Sequence, residues 1–366
     1  MSRSMIRGRA LDFEAYSPGL SISEIQERYG LSSVVKLASN ENPLGVSPRV
    51  LEVLRGHLPG CHRYPQAGSP RLRRALGAYH GIPADRIVAG NGSDEIIDLL
   101  IRAVAEPGRD HILAFRPCFG IYGLQSRLCG VEFRQVDLRR DFTPPLQELL
   151  DAVKEDTAIV FLTTPDNPSG FTPPVEDLLS FLDRLPEDCL LVVDEAYMDF
   201  AVPQEGYSVM SRAGQAPNLV VLRTFSKLYG LAGLRLGYGV MSAKLADCLL
   251  RIKLPFSVNT LAEEAGIAAL DDDSFRADTI KTVVQGRQML AKTFGEMGFL
   301  VYPSQANFIL VKPPVAAPDL FERLLERGII VRLLSSCGFK DHLRISIGNF
   351  EENERLLTAI REILPS

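Results

Sequence analysis

Short runs of mostly apolar residues, with little polar alternation, recur along the first two thirds of the chain. They span residues 86–89 (RIVA), 110–115 (DHILAF), 158–162 (AIVFL), 190–193 (LLVV) and 219–222 (LVVL). Apolar runs of this length are typical of strands that are buried on both faces. We therefore predict a sheet whose two faces are both covered.

Longer helical patterns separate these runs. Residues 93–105 have helical periodicity after the first run, and a helix is predicted near residues 119–128 after the second. Alternation of strands and helices is typical of a mostly parallel sheet with helices on both sides. The predicted fold class is α/β, with a large domain built on this sheet.

The last part of the chain has a different pattern. A long helical stretch runs from about Leu270 through Met297, and it is followed by apolar runs at 307–311, 329–331 and 343–347. These runs predict strands of a second, smaller sheet in a small α+β domain. We assign residues 36–264 to the large domain, and residues 1–35 and 265–366 to the small domain.

Composition narrows the class of protein. The chain has 366 residues, 46% hydrophobic and 23% charged, which is ordinary for a globular protein of two domains. A formal net charge of −5 gives no reason to expect nucleic acid or an anionic membrane as a partner. No run is long and apolar enough to predict a membrane-spanning helix.

The cysteines and the amino terminus bear on localisation. The six cysteines are scattered and form no C-x-x-C pair, as expected of reduced thiols in a cytoplasmic protein. Residues 1–10 carry three arginines without a following apolar stretch, so we do not expect a secretory signal. The five histidines have no metal-ligand spacing, and no metal is expected.

Glycine and polar residues cluster just after the predicted strands of the large domain. The clusters lie at residues 90–94, 165–170, 194–197 and 224–235. Ligands of open α/β sheets bind at the carboxyl ends of the strands. We therefore expect the functional site where these four segments meet.

The segment that begins with Thr224-Phe225-Ser226-Lys227 carries the strongest chemical signal. An apolar strand delivers a hydroxyl and a lysine into a loop, and Arg235 follows between glycines. A buried lysine loses its proton easily and can attack a carbonyl, while Ser226 and Arg235 could bind a phosphate. A lone lysine is usually a solvated surface residue and a lone arginine a surface ion pair, so the indication comes from the combination.

Asp194 stands at the end of the run 190–193, and Tyr197 follows it closely. Alone, such an aspartate is more often a helix cap or a turn residue. In a pyridoxal-phosphate site it would pair with the protonated pyridine nitrogen and keep the ring an electron sink. Tyr197, and the amide of Asn167 after the run 158–162, could reach the phenolate oxygen of the cofactor, although 164–170 is also an ordinary turn by composition.

Residues 90–94 (GNGSD) open a predicted helix and could form a phosphate cradle. They lack the lysine of a Walker loop and the spacing of a dinucleotide fingerprint, and Ser93 could simply cap the helix. Phe119 could stack on a planar cofactor or could be an ordinary core residue.

With these motifs in this order, the chain resembles the fold-type I aminotransferases, which use pyridoxal 5'-phosphate. S-K-x-x-x-x-x-G-x-R at 226–235 and N-P-x-G at 167–170 mark the broad group. The segments 16–19 (YSPG), 38–45 (ASNENPLG) and 63–65 (RYP) resemble the histidinol-phosphate aminotransferase family. The resemblance covers nearly the whole chain.

The resemblance implies roles for the cofactor site. Lys227 would form the Schiff base and serve as the acid–base catalyst, and Asp194 would hold the pyridine nitrogen. Phe119, where family members often carry tyrosine, would stack on the ring. Asn167 and Tyr197 would contact the phenolate oxygen. The phosphate would be bound by four residues: Ser93, Asp94, Ser226 and Arg235.

The resemblance also implies substrate and subunit contacts. Arg344 would bind the α-carboxylate of glutamate, and Arg332 and Tyr16 are candidates for a substrate phosphate. Asn40 is a further substrate-binding candidate. Tyr64 would reach the cofactor phosphate of a neighbouring subunit, which implies a homodimer.

The implied reaction belongs to histidine biosynthesis, a branch of amino-acid biosynthesis. Glutamate would give up its amino group and leave as 2-oxoglutarate, and imidazole-acetol phosphate would take the group to become histidinol phosphate. Two enzymes of the same fold are alternatives, an aromatic amino-acid aminotransferase and a threonine-phosphate decarboxylase. Outside enzymes, the alternatives are an effector-binding protein of this fold and a nucleotide-binding protein that uses residues 90–94.

Overall fold

The computed structural model of the chain describes residues 11, 13, 19–335 and 338–364. Its helices alternate with strands through residue 252 and dominate the segment from 260 to 296. The helices are α1 (Ile22–Tyr29), α2 (Pro48–His57), α3 (Pro70–His80), α4 (Ser93–Val104), α5 (Gly120–Cys129), α6 (Leu146–Asp151), α7 (Val175–Arg184), α8 (Ala243–Ile252), α9 (Thr260–Leu270), α10 (Asp273–Glu296), α11 (Ala317–Leu325) and α12 (Phe350–Ile363). The strands are β1 (Val35–Lys36), β2 (Ile87–Asn91), β3 (His111–Arg116), β4 (Glu132–Asp137), β5 (Thr157–Thr163), β6 (Leu190–Asp194), β7 (Leu219–Thr224), β8 (Leu236–Val240), β9 (Leu300–Val301), β10 (Phe308–Lys312), β11 (Ile329–Ile330), β12 (Arg332–Leu334) and β13 (Phe339–Ser346).

Seven strands form the central sheet in the order β2-β8-β7-β6-β5-β3-β4. The strands from β7 to β4 pair in parallel, and β8 is antiparallel to both of its neighbours. The predicted α/β class with a mostly parallel sheet is confirmed, and the predicted strands lie within two residues of β2, β3, β5, β6 and β7.

Alternate residues of the central strands enter two different cores, which explains why their sequences are apolar throughout. Val192 packs in one core with Ile96 of α4, whereas Leu191 and Val193 pack in the other with Phe181 of α7. Each face of the sheet is therefore covered by helices, as the unbroken apolar runs predict.

Two strands of this sheet escape prediction from the sequence. β4 lies at the edge and has no buried residue, so it shows no apolar run. β8 contains Gly237 and Gly239, which interrupt its apolar pattern. Gly237 is required by close packing, because a Cβ there would lie 2.4 Å from the backbone nitrogen of Ser93.

The carboxyl-terminal part of the chain contains a four-stranded antiparallel sheet in the order β12-β13-β10-β9. The apolar run 329–331 was expected to be one strand of this sheet, and that expectation is wrong. Its first two residues form β11, which pairs in parallel with β1, and β12 begins only at Arg332. β1 thus ties the amino-terminal segment to the carboxyl-terminal part, while the domain bounds stay a prediction.

Candidate active site

The carboxyl ends of β5, β6 and β7 lie side by side and bring the predicted segments together. Thr163 of β5 is opposite Asp194 of β6, and Asp194 is opposite Leu222 of β7. The backbone nitrogen of Thr164 donates to the carbonyl of Asp194 at 2.9 Å, so the two loops leave the sheet together. Among the described residues, no group of three or more His, Cys, Asp or Glu side chains could hold a metal ion.

Lys227 follows β7 and projects toward this edge from a loop held by the fully buried Phe225. Its amine Nζ donates to the carbonyl of Ser39 at 3.1 Å and lies 5.6 Å from the ring centroid of Tyr197. Burial, helped by the positive charge of Arg344, lowers the pKa of Lys227 to about 8. About a tenth of the amine is therefore unprotonated and nucleophilic at pH 7, far more than for a free lysine.

The carboxylate of Asp194 is buried at the end of β6 and accepts two hydrogen bonds from neutral groups. The backbone nitrogen of Ala196 donates to Oδ1 at 3.1 Å, and the hydroxyl of Tyr122 donates to Oδ2 at 2.8 Å. Burial raises the pKa of Asp194 to about 6, although the hydrogen bond from Tyr122 opposes the shift. A buried acid that is ionised at neutral pH suits a cationic partner such as a protonated pyridine nitrogen.

Tyr197 is buried, and its hydroxyl oxygen receives two amide groups. Asn40 Nδ2 donates to this oxygen at 3.2 Å, and Asn167 Nδ2 donates at 3.5 Å. Burial raises the pKa of Tyr197 despite the opposing charge of Arg344. The hydroxyl therefore keeps its proton and can donate it to an anionic oxygen, as the predicted contact to a phenolate requires.

Asn40 has a left-handed backbone, with φ of 54°, that its neighbours hold in place. Its backbone nitrogen donates to Ser346 Oγ at 2.8 Å, and the same hydroxyl donates to Asn40 Oδ1 at 2.8 Å. Asn307 Nδ2 also donates to the carbonyl of Asn40 at 3.0 Å. These contacts fix the asparagine side chain against Tyr197.

The amino terminus of α4 forms a cradle with Arg235. Gly92 precedes the helix with φ of 74°, and its nitrogen donates to the carbonyl of Arg235 at 2.9 Å. Arg235 Nη2 lies 3.0 Å from Asp94 Oδ2. Ser93 is the first helical residue, so the alternative that it caps the helix is wrong. Free N–H groups beside an arginine suit a phosphate, and the buried Ser226 adds a hydroxyl two strands away in the sheet order.

Arg344 and Arg332 lie directly opposite each other on β13 and β12. Arg344 Nη1 donates to Asn167 Oδ1 at 2.6 Å, and Nη2 donates to the carbonyl of Ala38 at 2.7 Å. Like charges opposite each other destabilise a sheet. Such a pair is expected where both guanidinium groups bind anionic groups of a ligand.

The remaining predicted residues have different outcomes. Phe119 precedes α5 and meets the ring of Tyr122 edge-on, with centroids 5.7 Å apart. Tyr64 is 84% exposed and stacks on Phe256, with centroids 4.9 Å apart. Tyr16 lies outside the described residues.

Reasoning from the sequence missed several groups at the site. Tyr122 could have been found, because it lies three residues after Phe119 in a predicted helix and so shares its face. The carbonyl of Ser39 could not, because backbone contacts leave no residue-type signal. Ser346 and Asn307 come from the small sheet, far away in sequence, and nothing local marks them.

Comparison with known proteins identifies relatives of the whole chain. The family model for aminotransferase class I and II matches residues 32–360. The chain is 57% identical over 360 residues to the histidinol-phosphate aminotransferase of Nitratidesulfovibrio vulgaris, covering 98% of this chain and 96% of the relative. It is 54% identical over 363 residues to that of Oleidesulfovibrio alaskensis, covering 98% and 95%.

A solved structure extends the comparison to three dimensions. The histidinol-phosphate aminotransferase of Sinorhizobium meliloti, solved in complex with pyridoxal-5'-phosphate, superimposes with a TM-score of 0.88 at 26% identity. The match covers 99% of each chain. The similarity in fold therefore includes both sheets.

Proposed function

Because this chain belongs to the histidinol-phosphate aminotransferase family of class I and II aminotransferases, we propose that it transfers the amino group of glutamate to imidazole-acetol phosphate. The product, histidinol phosphate, places the chain in histidine biosynthesis. The chain is a pyridoxal-phosphate-dependent aminotransferase, as its family is. The observation that carries the proposal is the pair of arginines opposite each other on neighbouring strands, Arg344 and Arg332, of which Arg344 is close enough for its charge to act on the buried amine of Lys227.

The residues at the sheet edge fit the cofactor. When bound, pyridoxal phosphate supplies an electron sink that stabilises negative charge on the substrate carbon. Lys227 would hold the cofactor through Nζ, and its amine would serve as the acid–base group that moves a proton on the substrate. Asp194 would pair with the ring nitrogen, and Phe119 would stack on the ring. Two residues would contact the phenolate oxygen, Asn167 and Tyr197. Four residues would contact the phosphate: Ser93, Asp94, Ser226 and Arg235.

The substrate side must accept a carboxylate in one half of the reaction and a phosphate in the other. We assign the α-carboxylate of glutamate to Arg344, whose guanidinium can donate two parallel hydrogen bonds. Arg332, and Tyr16 outside the described residues, serve the phosphate, while Asn40 contacts the substrate beside Tyr197. Two arginines at this position suit both substrates without any change of site.

A homodimer accounts for an exposed apolar surface, here named the Tyr64 patch, which consists of Tyr64, Ile252, Leu254 and Phe256. These side chains are 84%, 46%, 74% and 43% exposed. Residues 252–256 are near each other in sequence, and Tyr64 stacks on Phe256, so these exposed apolar side chains form one patch that favours a protein partner. A second copy covering the patch would receive Tyr64 at its own cofactor phosphate. We also propose a cytoplasmic location, because six scattered cysteines without a C-x-x-C pair are typical of reduced thiols. Among the described residues, no helix has the length and apolarity to cross a bilayer.

A half-reaction screen tests the proposed function. The protein loaded with pyridoxal phosphate is mixed with glutamate, and one equivalent of 2-oxoglutarate per subunit is expected. The aminated protein is then mixed with imidazole-acetol phosphate or with phenylpyruvate. Imidazole-acetol phosphate should react much faster than phenylpyruvate. Preference for phenylpyruvate would favour the aromatic aminotransferase. Release of carbon dioxide from threonine phosphate, without 2-oxoglutarate from glutamate, would favour the decarboxylase.

A further inference from the structure

Tyr122 is a fully buried residue of α5 that touches the group assigned to the ring nitrogen. Its ring stacks on Phe161 of β5, with centroids 4.4 Å apart and an interplanar angle of 6°. Its hydroxyl lies 2.8 Å from Asp194 Oδ2 and 2.9 Å from Thr163 Oγ1. Since Thr163 and Asp194 are opposite each other in the sheet, one hydroxyl joins two strands and a helix.

The direction of these hydrogen bonds follows from the chemistry of the groups. An ionised carboxylate can only accept, so Tyr122 donates to Asp194 and can accept from the hydroxyl of Thr163. Burial and the charge of Asp194 hold the pKa of Tyr122 well above its usual range. Tyr122 therefore keeps its proton near neutral pH and can donate it to Asp194.

Without this donor, the hydrogen bond from Ala196 to Oδ1 is the one that would remain to Asp194 from the described part of the chain. The carboxylate could then turn about its last side-chain bond, and burial would favour its protonated form more strongly. Tyr122 also meets Phe119 edge-on, with an interplanar angle of 87°. One side chain thus contacts both the group proposed for the ring nitrogen and the group proposed for the ring face.

We propose that Tyr122 is a positioning residue for the cofactor, which keeps Asp194 ionised and aimed and sets the orientation of Phe119. The inference rests on the proposed function, because it requires a ring nitrogen facing Asp194. It assigns Tyr122 no contact with substrate and no proton transfer.

The test compares two ligands that differ only at the ring nitrogen. Apoprotein carrying Tyr122→Phe is titrated with pyridoxal phosphate and with the analogue that has a carbon in place of the ring nitrogen. Since a hydrogen bond to a charged group is lost, affinity for pyridoxal phosphate should fall about ten-fold or more. Affinity for the carbon analogue should not fall, because that ligand offers no positive charge to Asp194.

Tyr238→Phe is the matched control. Tyr238 is also buried and its hydroxyl also makes a hydrogen bond, 2.7 Å from His80 Nε2, whereas the hydrogen bonds that the described residues make to the Asp194 carboxylate come from Tyr122 and Ala196. This variant should bind both ligands like the wild type. In Tyr122→Phe, the loss of pyridoxal-phosphate binding on acidification should also begin at a higher pH than in the wild type, because the carboxylate has lost a donor.

If Tyr122→Phe lost the same affinity for both ligands, the inference would be overturned and Tyr122 would be a packing residue. Unchanged affinity for pyridoxal phosphate would overturn the inference as well. Should Tyr122→Phe fail to fold in thermal unfolding, Thr163→Val replaces it and should weaken only pyridoxal-phosphate binding, to a smaller extent. Failure of the wild type itself to bind pyridoxal phosphate would defeat the proposed function, a result distinct from these.

Discussion

The guanidinium of Arg344 donates to the side-chain oxygen of Asn167 at 2.6 Å, joining β13 to the loop after β5. Because a guanidinium can only donate, this contact fixes the amide with its oxygen toward Arg344 and its NH2 group toward Tyr197. The proposed carboxylate-binding residue and the proposed phenolate-binding residues are thus parts of one hydrogen-bonded unit. We therefore expect a ligand bound at one end of this unit to orient the groups at the other end.

Arg344→Lys should raise the KM for glutamate by about 10- to 100-fold, with cofactor affinity changed much less. A lysine ammonium keeps the charge but cannot bind a carboxylate in parallel while still contacting Asn167 and the carbonyl of Ala38. Steady-state kinetics and a pyridoxal-phosphate titration measure the two effects. Arg251→Lys, in an exposed ion pair with Asp247, is the control. An unchanged KM would remove Arg344 from the substrate site.

Prediction from the sequence succeeded where a signal was local. The strand that ends at Asp194 and the strands that precede Asn167 and Lys227 are mostly apolar because both faces of the sheet are covered, and polar residues follow each of them. Prediction failed for contacts between distant segments. The split of the run 329–331 depends on β1, some 300 residues away, and the carbonyl of Ser39 reaches Lys227 through the backbone alone.

Lys227→Ala should lower turnover by about 10³-fold or more, because one amine both holds the cofactor and moves the proton. The rate of 2-oxoglutarate formation measures this loss. Borohydride reduction followed by peptide mapping should attach the cofactor to Lys227 in the wild type. Lys292→Ala, an exposed lysine of α10, is the control and should behave like the wild type. Cofactor attached elsewhere, or turnover retained in Lys227→Ala, would contradict the assignment.

Asp194→Asn should stabilise the apoprotein above pH 6. The pKa of Asp194 is raised to about 6 in the folded chain, from about 3.9 when unfolded, so the folded state binds more protons between these values. The contribution of Asp194 to the free energy of unfolding of the wild type therefore falls as the pH rises from about 3.9 to about 6. The asparagine has no such dependence, and the free energy of unfolding of the variant should exceed that of the wild type by about 2 to 3 kcal/mol at pH 7.5.

Urea denaturation of both apoproteins at pH 4 and pH 7.5 measures this difference, which should nearly disappear at pH 4. Asp278→Asn, at an exposed position of α10, is the control and should show no such pH dependence. In the loaded proteins the order should reverse, because the asparagine cannot pair with a protonated ring nitrogen. A less stable apo variant at pH 7.5 would mean that Asp194 is a structural residue.

Leu254→Asp should weaken the proposed dimer, because Leu254 is the most exposed aliphatic side chain of the Tyr64 patch, at 74%. The loop that carries it is held from inside by Lys253, whose amine lies 3.3 Å from Glu95, so the substitution should not unfold the chain. Sedimentation should give the mass of two chains for the wild type and a shift toward one chain for the variant. Leu300→Asp, 55% exposed on β9, should remain a dimer. Identical masses for wild type and Leu254→Asp would exclude this surface.

Tyr64→Phe should leave the dimer intact and weaken the retention of pyridoxal phosphate. The ring stacks on Phe256 and keeps its apolar contact, so the variant loses only the hydroxyl that would reach the phosphate of the partner's cofactor. Losing one hydrogen bond to an anion should raise the dissociation constant about ten-fold or more. Dialysis followed by absorbance measures retention, and Tyr79→Phe, at another exposed tyrosine, is the control.

Mixing Tyr64→Phe with Lys227→Ala tests whether Tyr64 acts across the dimer. In the mixed dimer, the one site with an intact Lys227 receives a normal Tyr64 from the other chain. Retention of pyridoxal phosphate at that site should therefore return to the wild-type value. If each site used its own Tyr64, mixing would restore nothing.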